Sequence, residues 1–179
     1  MRQPFKIEVY DFVGGRVFQE GEAMGELVHV SKVKVYKERG KGKVKKAYLE
    51  GFPEPVVTGV HGGIKKFYGV DSGEDLPATL DYLVAALGSC LIGTLAGALE
   101  ARSIPTGPDQ VSAEVEGYIE NVENKPLVTR VHVKYRLKVP KGKTAEAQRA
   151  IDHHEQNCAV SQTIRRGITI ECEGEIEEE

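Results

Sequence analysis

Apolar side chains recur at helical spacing over one long segment, TLDYLVAALGSCLIGTLAGALE at residues 79–100, and at strand spacing over most of the remaining chain. Leucine falls every fourth position in the segment, at Leu83, Leu87, Leu91, Leu95 and Leu99. A row of small residues, Ala85, Ser89, Gly93 and Gly97, is offset by two positions, about half a helical turn. The pattern predicts an entirely buried helix with two non-polar faces, one filling volume and the other admitting a close partner. Cys90 projects on the small side among Ala86, Gly93 and Gly97, which are too small to cover it. The space above it is left for a partner chain, a substrate or a second cysteine. The 18 uncharged residues between Asp81 and Glu100 also reach the length of a membrane span. Several glycines and the amphipathic strands around the segment favour a soluble core helix instead, with no membrane contact.

Ahead of this helix the first 60 residues read as β structure. Phe5, Ile7 and Val9 alternate with Lys6, Glu8 and Tyr10, and a turn follows at Gly14 and Gly15. A second alternation slips phase between Val30 and Val33, which predicts a bulge near Ser31 and Lys32 before a loop or hairpin turn at ERGKGKVK. Residues 51–78, rich in glycine, proline and acids, read as one long connection. In it His61 is either a substrate or proton contact or a plain surface residue. Pro77, Thr79 and Asp81 suit a helix start, with a hydroxyl for capping and an acid in the first turn.

Behind the helix, two strands of clean period two are joined by NVENK, which predicts an antiparallel hairpin. Val111, Ala113, Val115 and Ile119 share one face with Val131, Val133, Tyr135, Leu137 and Val139, while the outer face sets acids against bases. A polar helix over residues 144–155 turns Ala147, Ala150 and Ile151 inward. A short helix follows, with Asn157 as its N-cap, Cys158 at its first helical position and Gly167 past its end. A last strand places Cys172 with Ile168, Ile170 and Ile176 on a core face. The whole, residues 1–179, is expected to be one α+β domain, with a mainly β part over 1–60 and a part over 79–179 that carries both cysteine segments.

Composition narrows the function. With 40% hydrophobic residues the chain can bury a real core, and its net charge of -3 argues against general nucleic-acid or membrane-surface binding. Residues 32–46 hold eight bases and one acid, and the last nine residues hold six glutamates. Runs of that kind are usually solvated faces, although lysines interleaved with Tyr36 and Tyr48 could also grip a nucleic acid. The opening MRQPFKIEVY has no apolar core, so a cytoplasmic location is expected. His153, His154 and Cys158 make a poor metal set, because the histidines are adjacent and a fourth ligand is missing; no metal or cofactor is expected.

Three widely spaced cysteines in a reducing compartment point to redox chemistry rather than a disulfide framework. Cys158 at a helix start faces unpaired backbone N–H groups, the setting that makes a thiol acidic. Together with Cys90 it suggests a thiol peroxidase, in which one thiolate attacks a peroxide and a second captures the sulfenic acid. The run TLDYLVAALGSCLIGTLAGALEARSIP, followed 68 residues after its cysteine by NCAVSQTIRRGITI, resembles the two signature segments of the OsmC and Ohr family of osmotically inducible and organic hydroperoxide resistance proteins. The resemblance implies an α+β fold in an intimate homodimer, central helices back to back and active sites at the subunit interface. It also implies Cys90 as the peroxidatic thiol, Cys158 as the resolving thiol joined to it by a disulfide, organic hydroperoxides as substrates, and an external dithiol reductant of lipoyl or thioredoxin type. Ala159 stands where the family often has proline. Leu80 stands where the Ohr branch has a glutamate, with Asp81 next to it as the candidate supporting acid, and Arg16 is the candidate for the activating arginine. The helix-start argument favours Cys158 as the more acidic thiol, whereas the resemblance assigns attack to Cys90. A non-catalytic dimer of this fold, binding a small apolar ligand at the interface, is the alternative.

Overall fold

The computed structural model describes residues 26–39, 43–70, 73–107 and 109–166. Two compact units divide the chain. One is Ser31–Gln162; the other joins Met1–Val30 to Thr163–Glu179, of which residues 26–30 and 163–166 are described. The expected strand from Phe5, Arg16, Gly167 and the last strand with Cys172 lie outside the described residues.

In the first unit, strands β1 (Val33–Lys37), β2 (Lys45–Leu49) and β3 (Val56–Thr58) form an antiparallel sheet in that order, with Val33 opposite Leu49 and Lys45 opposite Thr58. β1 begins after Ser31 and Lys32, so the phase slip read there marks the strand's start and not a bulge within it. Residues 51–78 are not a plain connection. They contain β3 and the short helix α1 (Gly62–Phe67), whose Ile64 packs with Val60 and Ala78 in a small core. Both elements are too short for a period to stand out.

Helix α2 (Thr79–Glu100) occupies the predicted segment in full. The Asp81 carboxylate, not the Thr79 hydroxyl, closes its first turn, accepting the Ala78 N–H at 2.6 Å. Strands β4 (Val111–Val122) and β5 (Lys125–Leu137) form the predicted hairpin, closed at Glu123 and Asn124, which both take positive φ. Its register shifts between Tyr118 and Ile119. On the outer face Arg136 reaches Glu114 at 2.6 Å and the Arg130 guanidinium lies 3.9 Å from the Tyr118 ring centre. The inner face carries α2, and the contact is closest where side chains are missing. A Cβ on Gly88 would stand 2.8 Å from Val115 Cγ2, and one on Gly117 would stand 2.4 Å from Val84 Cγ2.

Leu95 and Leu99 of α2 are fully enclosed with Ile104 and with Ala147 and Ala150 of helix α3 (Thr144–His153). The inward face read for that helix is therefore correct. For α2 the reading is half right. Gly88, Leu91, Leu95 and Leu99 are buried, but Ala85, Ser89, Gly93 and Gly97 are exposed and Leu83 is 41% exposed. Within one chain the small-residue row is uncovered, and Gly88, which is not part of it, is the residue that lets another element approach.

Candidate active site

A 3-10 turn (His154–Asn157) follows α3 and leads through Cys158 into helix α4 (Ala159–Arg166). Cys158 has extended backbone angles, φ -77° and ψ 110°, and its carbonyl accepts the Gln162 N–H at 2.9 Å. It is thus the N-cap of α4 rather than the first helical residue, and Asn157 closes the turn before it. The Cys158 sulfur does what a capping hydroxyl does, accepting the Ser161 N–H at 3.4 Å. The side chain is fully enclosed.

Cys90 reaches the same helix start from α2. Its half-buried sulfur accepts N–H groups of Val160 and Ala159 and a hydrogen bond from the Cys158 thiol. The first turn of α4 therefore shares its donors between the sulfurs: the Ala159 N–H acts on Cys90, the Ser161 N–H on Cys158 and the Val160 N–H on both. The electrostatic result reverses the expectation that Cys158 is the more acidic thiol. The Val160 N–H, then the Cys158 thiol and the Ala159 N–H, hold Cys90 below the ordinary thiol value of 9.0, outweighing its burial. Burial pushes Cys158 up, and the neighbouring Cys90 sulfur adds to the rise in spite of the Ser161 and Val160 N–H groups. A capping side chain reaches the second and third amides of its own helix, so the first, that of Ala159, serves a residue that arrives from elsewhere. Both thiols are free.

Near Cys158 lies a polar group that the sequence does not mark. His154 is 4% exposed. Its Nδ1 donates to the Ile151 carbonyl at 2.8 Å, and its Nε2 accepts the Tyr135 hydroxyl at 2.7 Å. Burial, with the nearby charges of Cys158 and Glu155, pushes the Tyr135 hydroxyl up to about 12. The Ser161 hydroxyl donates to Glu155. Read from sequence, Tyr135 is a core face of a strand and His154 a weak metal candidate. Among the described residues no group of three or more histidine, cysteine or acidic side chains could hold a metal ion.

Asp81 is not part of this group. It stands nine residues before Cys90 on α2, roughly 13 Å along the axis at about 1.5 Å per residue. There the same oxygen that caps the helix also meets His61 Nε2 at 2.6 Å. The two residues read separately as a loop histidine and a supporting acid form one pair at the helix start, away from the sulfurs of their own chain. What stands beside the thiols can stabilise one thiolate, hold a second thiol in contact with it and keep bulk water from the second.

Comparison with known proteins places the fold. A solved OsmC-like protein of unknown function from Vibrio cholerae O1 biovar eltor superposes with a TM-score of 0.62 at 14% identity, covering 75% of this chain and 93% of that one. An OsmC-like protein from Mycoplasma pneumoniae gives 0.59 at 12%, covering 78% and 89%. An organic hydroperoxide resistance protein from Elizabethkingia anophelis gives 0.51 at 18%, covering 77% and 89%. None of the curated proteins matches the sequence. At such identities the superpositions establish the fold, α+β with antiparallel strands and a central helix. The family model described as OsmC-like protein matches residues 72–173, more than half of the chain and both cysteine segments, so the chain belongs to the OsmC-like family.

Proposed function

We propose that the chain is a thiol peroxidase for organic hydroperoxides, with Cys90 as the attacking and Cys158 as the resolving residue. The observation that carries this reading is the shared start of α4, where two free thiols touch and only Cys90 is held below its ordinary value. The Cys90 thiolate attacks the O–O bond and takes the terminal oxygen as a sulfenic acid; the leaving alkoxide takes a proton and departs as the alcohol. Cys158 then attacks the Cys90 sulfur, the S–O bond breaks, water leaves and a disulfide remains. A dithiol of lipoyl or thioredoxin type returns both thiols. Asp81, paired with His61, contributes by fixing the start of α2. The family includes proteins of hydroperoxide resistance, as the relative from Elizabethkingia anophelis is described.

The working unit is a homodimer in this reading. Ala86, Ser89, Gly93 and Gly97 lie exposed along one side of α2, and a Cβ on Gly93 or Gly97 would meet nothing within 4 Å. A second copy of the helix fits such a flat, small-residue face.

Treating the reduced protein with about one equivalent of an organic hydroperoxide should join Cys90 to Cys158 and leave Cys172 free, as read by peptide mapping without reductant. Were no such linkage to form, the non-catalytic dimer that binds a small apolar ligand becomes the better account.

A further inference from the structure

Three hydrogen bonds tie the two sides of Cys158 to each other. In the chain before it, the Glu155 carbonyl accepts the Cys158 N–H at 3.0 Å. In the chain after it, the Ser161 N–H donates to the Cys158 sulfur at 3.4 Å. The Ser161 hydroxyl donates to the Glu155 carboxylate and closes the ring. Ser161 is the third residue of α4, where a serine hydroxyl commonly points to solvent or back to a preceding carbonyl. Here the residue is buried. A buried hydroxyl costs stability unless it is bonded, and alanine would occupy the place without that requirement, so packing alone does not account for the serine. In the usual reciprocal cap, the third side chain of a helix returns to the N–H of the capping residue. In this chain the Glu155 carbonyl already holds that N–H, and the third side chain reaches the Glu155 carboxylate instead.

What such a ring holds still is the Cys158 side chain. A cysteine has three staggered positions about its Cα–Cβ bond, and each aims the sulfur in a different direction. Sulfur is a weak acceptor, so a single N–H bond selects one of them only where the amide itself is fixed. We propose that the Ser161 hydroxyl, anchored on Glu155, is the positioning group that keeps the Cys158 sulfur seated for its attack on the Cys90 sulfenic acid. The inference rests on the peroxidase reading and concerns its second step alone. In that step the Cys158 sulfur bonds to the Cys90 sulfur, the Cys90 S–O bond breaks, and the hydroxyl leaves with the Cys158 proton as water. The Cys90 sulfur is reduced and that of Cys158 oxidised. The Ser161 N–H bond strengthens as negative charge gathers on the attacking sulfur. A sulfenic acid that waits for its partner is open to a second peroxide, which carries it to sulfinic acid. The ring therefore sets the division between a reversible disulfide and irreversible over-oxidation.

Single-turnover kinetics on the full chain with cumene hydroperoxide test the inference, following sulfenic acid by a trapping reagent, disulfide by free-thiol loss and sulfinic acid by mass spectrometry. In Ser161→Ala, sulfenic acid should form at the wild-type rate while disulfide formation slows about tenfold, within what a misplaced reacting group costs. At a fixed excess of peroxide the ratio of sulfinic acid to disulfide should rise about tenfold as well, because both products draw on one intermediate. Glu155→Ala, at a half-buried position, should give the same split, and Ser161→Thr, which keeps the hydroxyl, should restore the wild-type ratio. The double alanine variant should be no slower than either single one, since each change breaks the same bond. Circular dichroism checks that the variants are folded. An unchanged disulfide phase in both alanine variants, or an equal fall in both phases, overturns the inference and leaves the peroxidase reading standing. A wild-type chain that forms no sulfenic acid overturns the peroxidase reading itself, and this inference with it.

Discussion

Acidity at this site belongs to the cysteine that approaches the helix start from outside, and not to the one that begins the helix. Reaction of the reduced protein with iodoacetamide should therefore modify Cys90 first, with a midpoint below 9.0, while enclosed Cys158 reacts slowly. Replacing Cys158 by alanine removes one donor to the Cys90 sulfur and should move that midpoint upward, which mass-spectrometric rates across a pH series will read. The two thiols act oppositely on stability. Cys90, lowered on folding, adds stability at pH above the unfolded thiol's value that is lost as pH falls through its folded value; Cys158, raised on folding, adds stability below the unfolded value that is lost as pH rises through its own. The donors were legible in NCAVSQTIRR, because a capping position before a short amphipathic run announces free amides. Their recipient was not, since the approach of Cys90 is a tertiary fact between residues 68 apart. Tyr135 and His154 were equally hidden, the one reading as core and the other as half of a weak metal pair.

At the scale of elements, the helix and hairpin interlock at glycines. Gly88→Val should cost about 1 to 3 kcal/mol in urea unfolding, because its Cβ starts 2.8 Å from Val115 Cγ2. Adding Val115→Ala should recover part of that loss, the mark of a direct contact. A periodic pattern gives the faces of a helix but not which face meets the sheet. The leucine row and the alternation in β4 and β5 fixed the elements, whereas the choice of Gly88 over Gly93 needed the packed structure. β3 and α1 escaped notice because three and six residues are too few to display a period.

At the scale of the whole molecule, the exposed small residues of α2 lie where the dimer reading needs an open face. Gly93→Leu should leave the fold of a single chain unaltered, having nothing within 4 Å to strike, yet weaken self-association by about 1 to 3 kcal/mol, roughly 5- to 150-fold in Kd. Sedimentation across a concentration series measures this, and a wild-type chain that stays monomeric at micromolar concentration removes the dimer. The core helix, the hairpin and the separation of the two cysteines were readable because each is a long or repeated pattern.

The sharing of the α4 amides between two sulfurs also gives the protein a reporter of its own. The N–H groups of Ala159, Val160 and Ser161 donate to sulfur. A disulfide removes both the thiolate charge and the thiol proton from those contacts. Three adjacent amide resonances in one nitrogen–proton spectrum then record the oxidation state of the site, with no label beyond nitrogen-15.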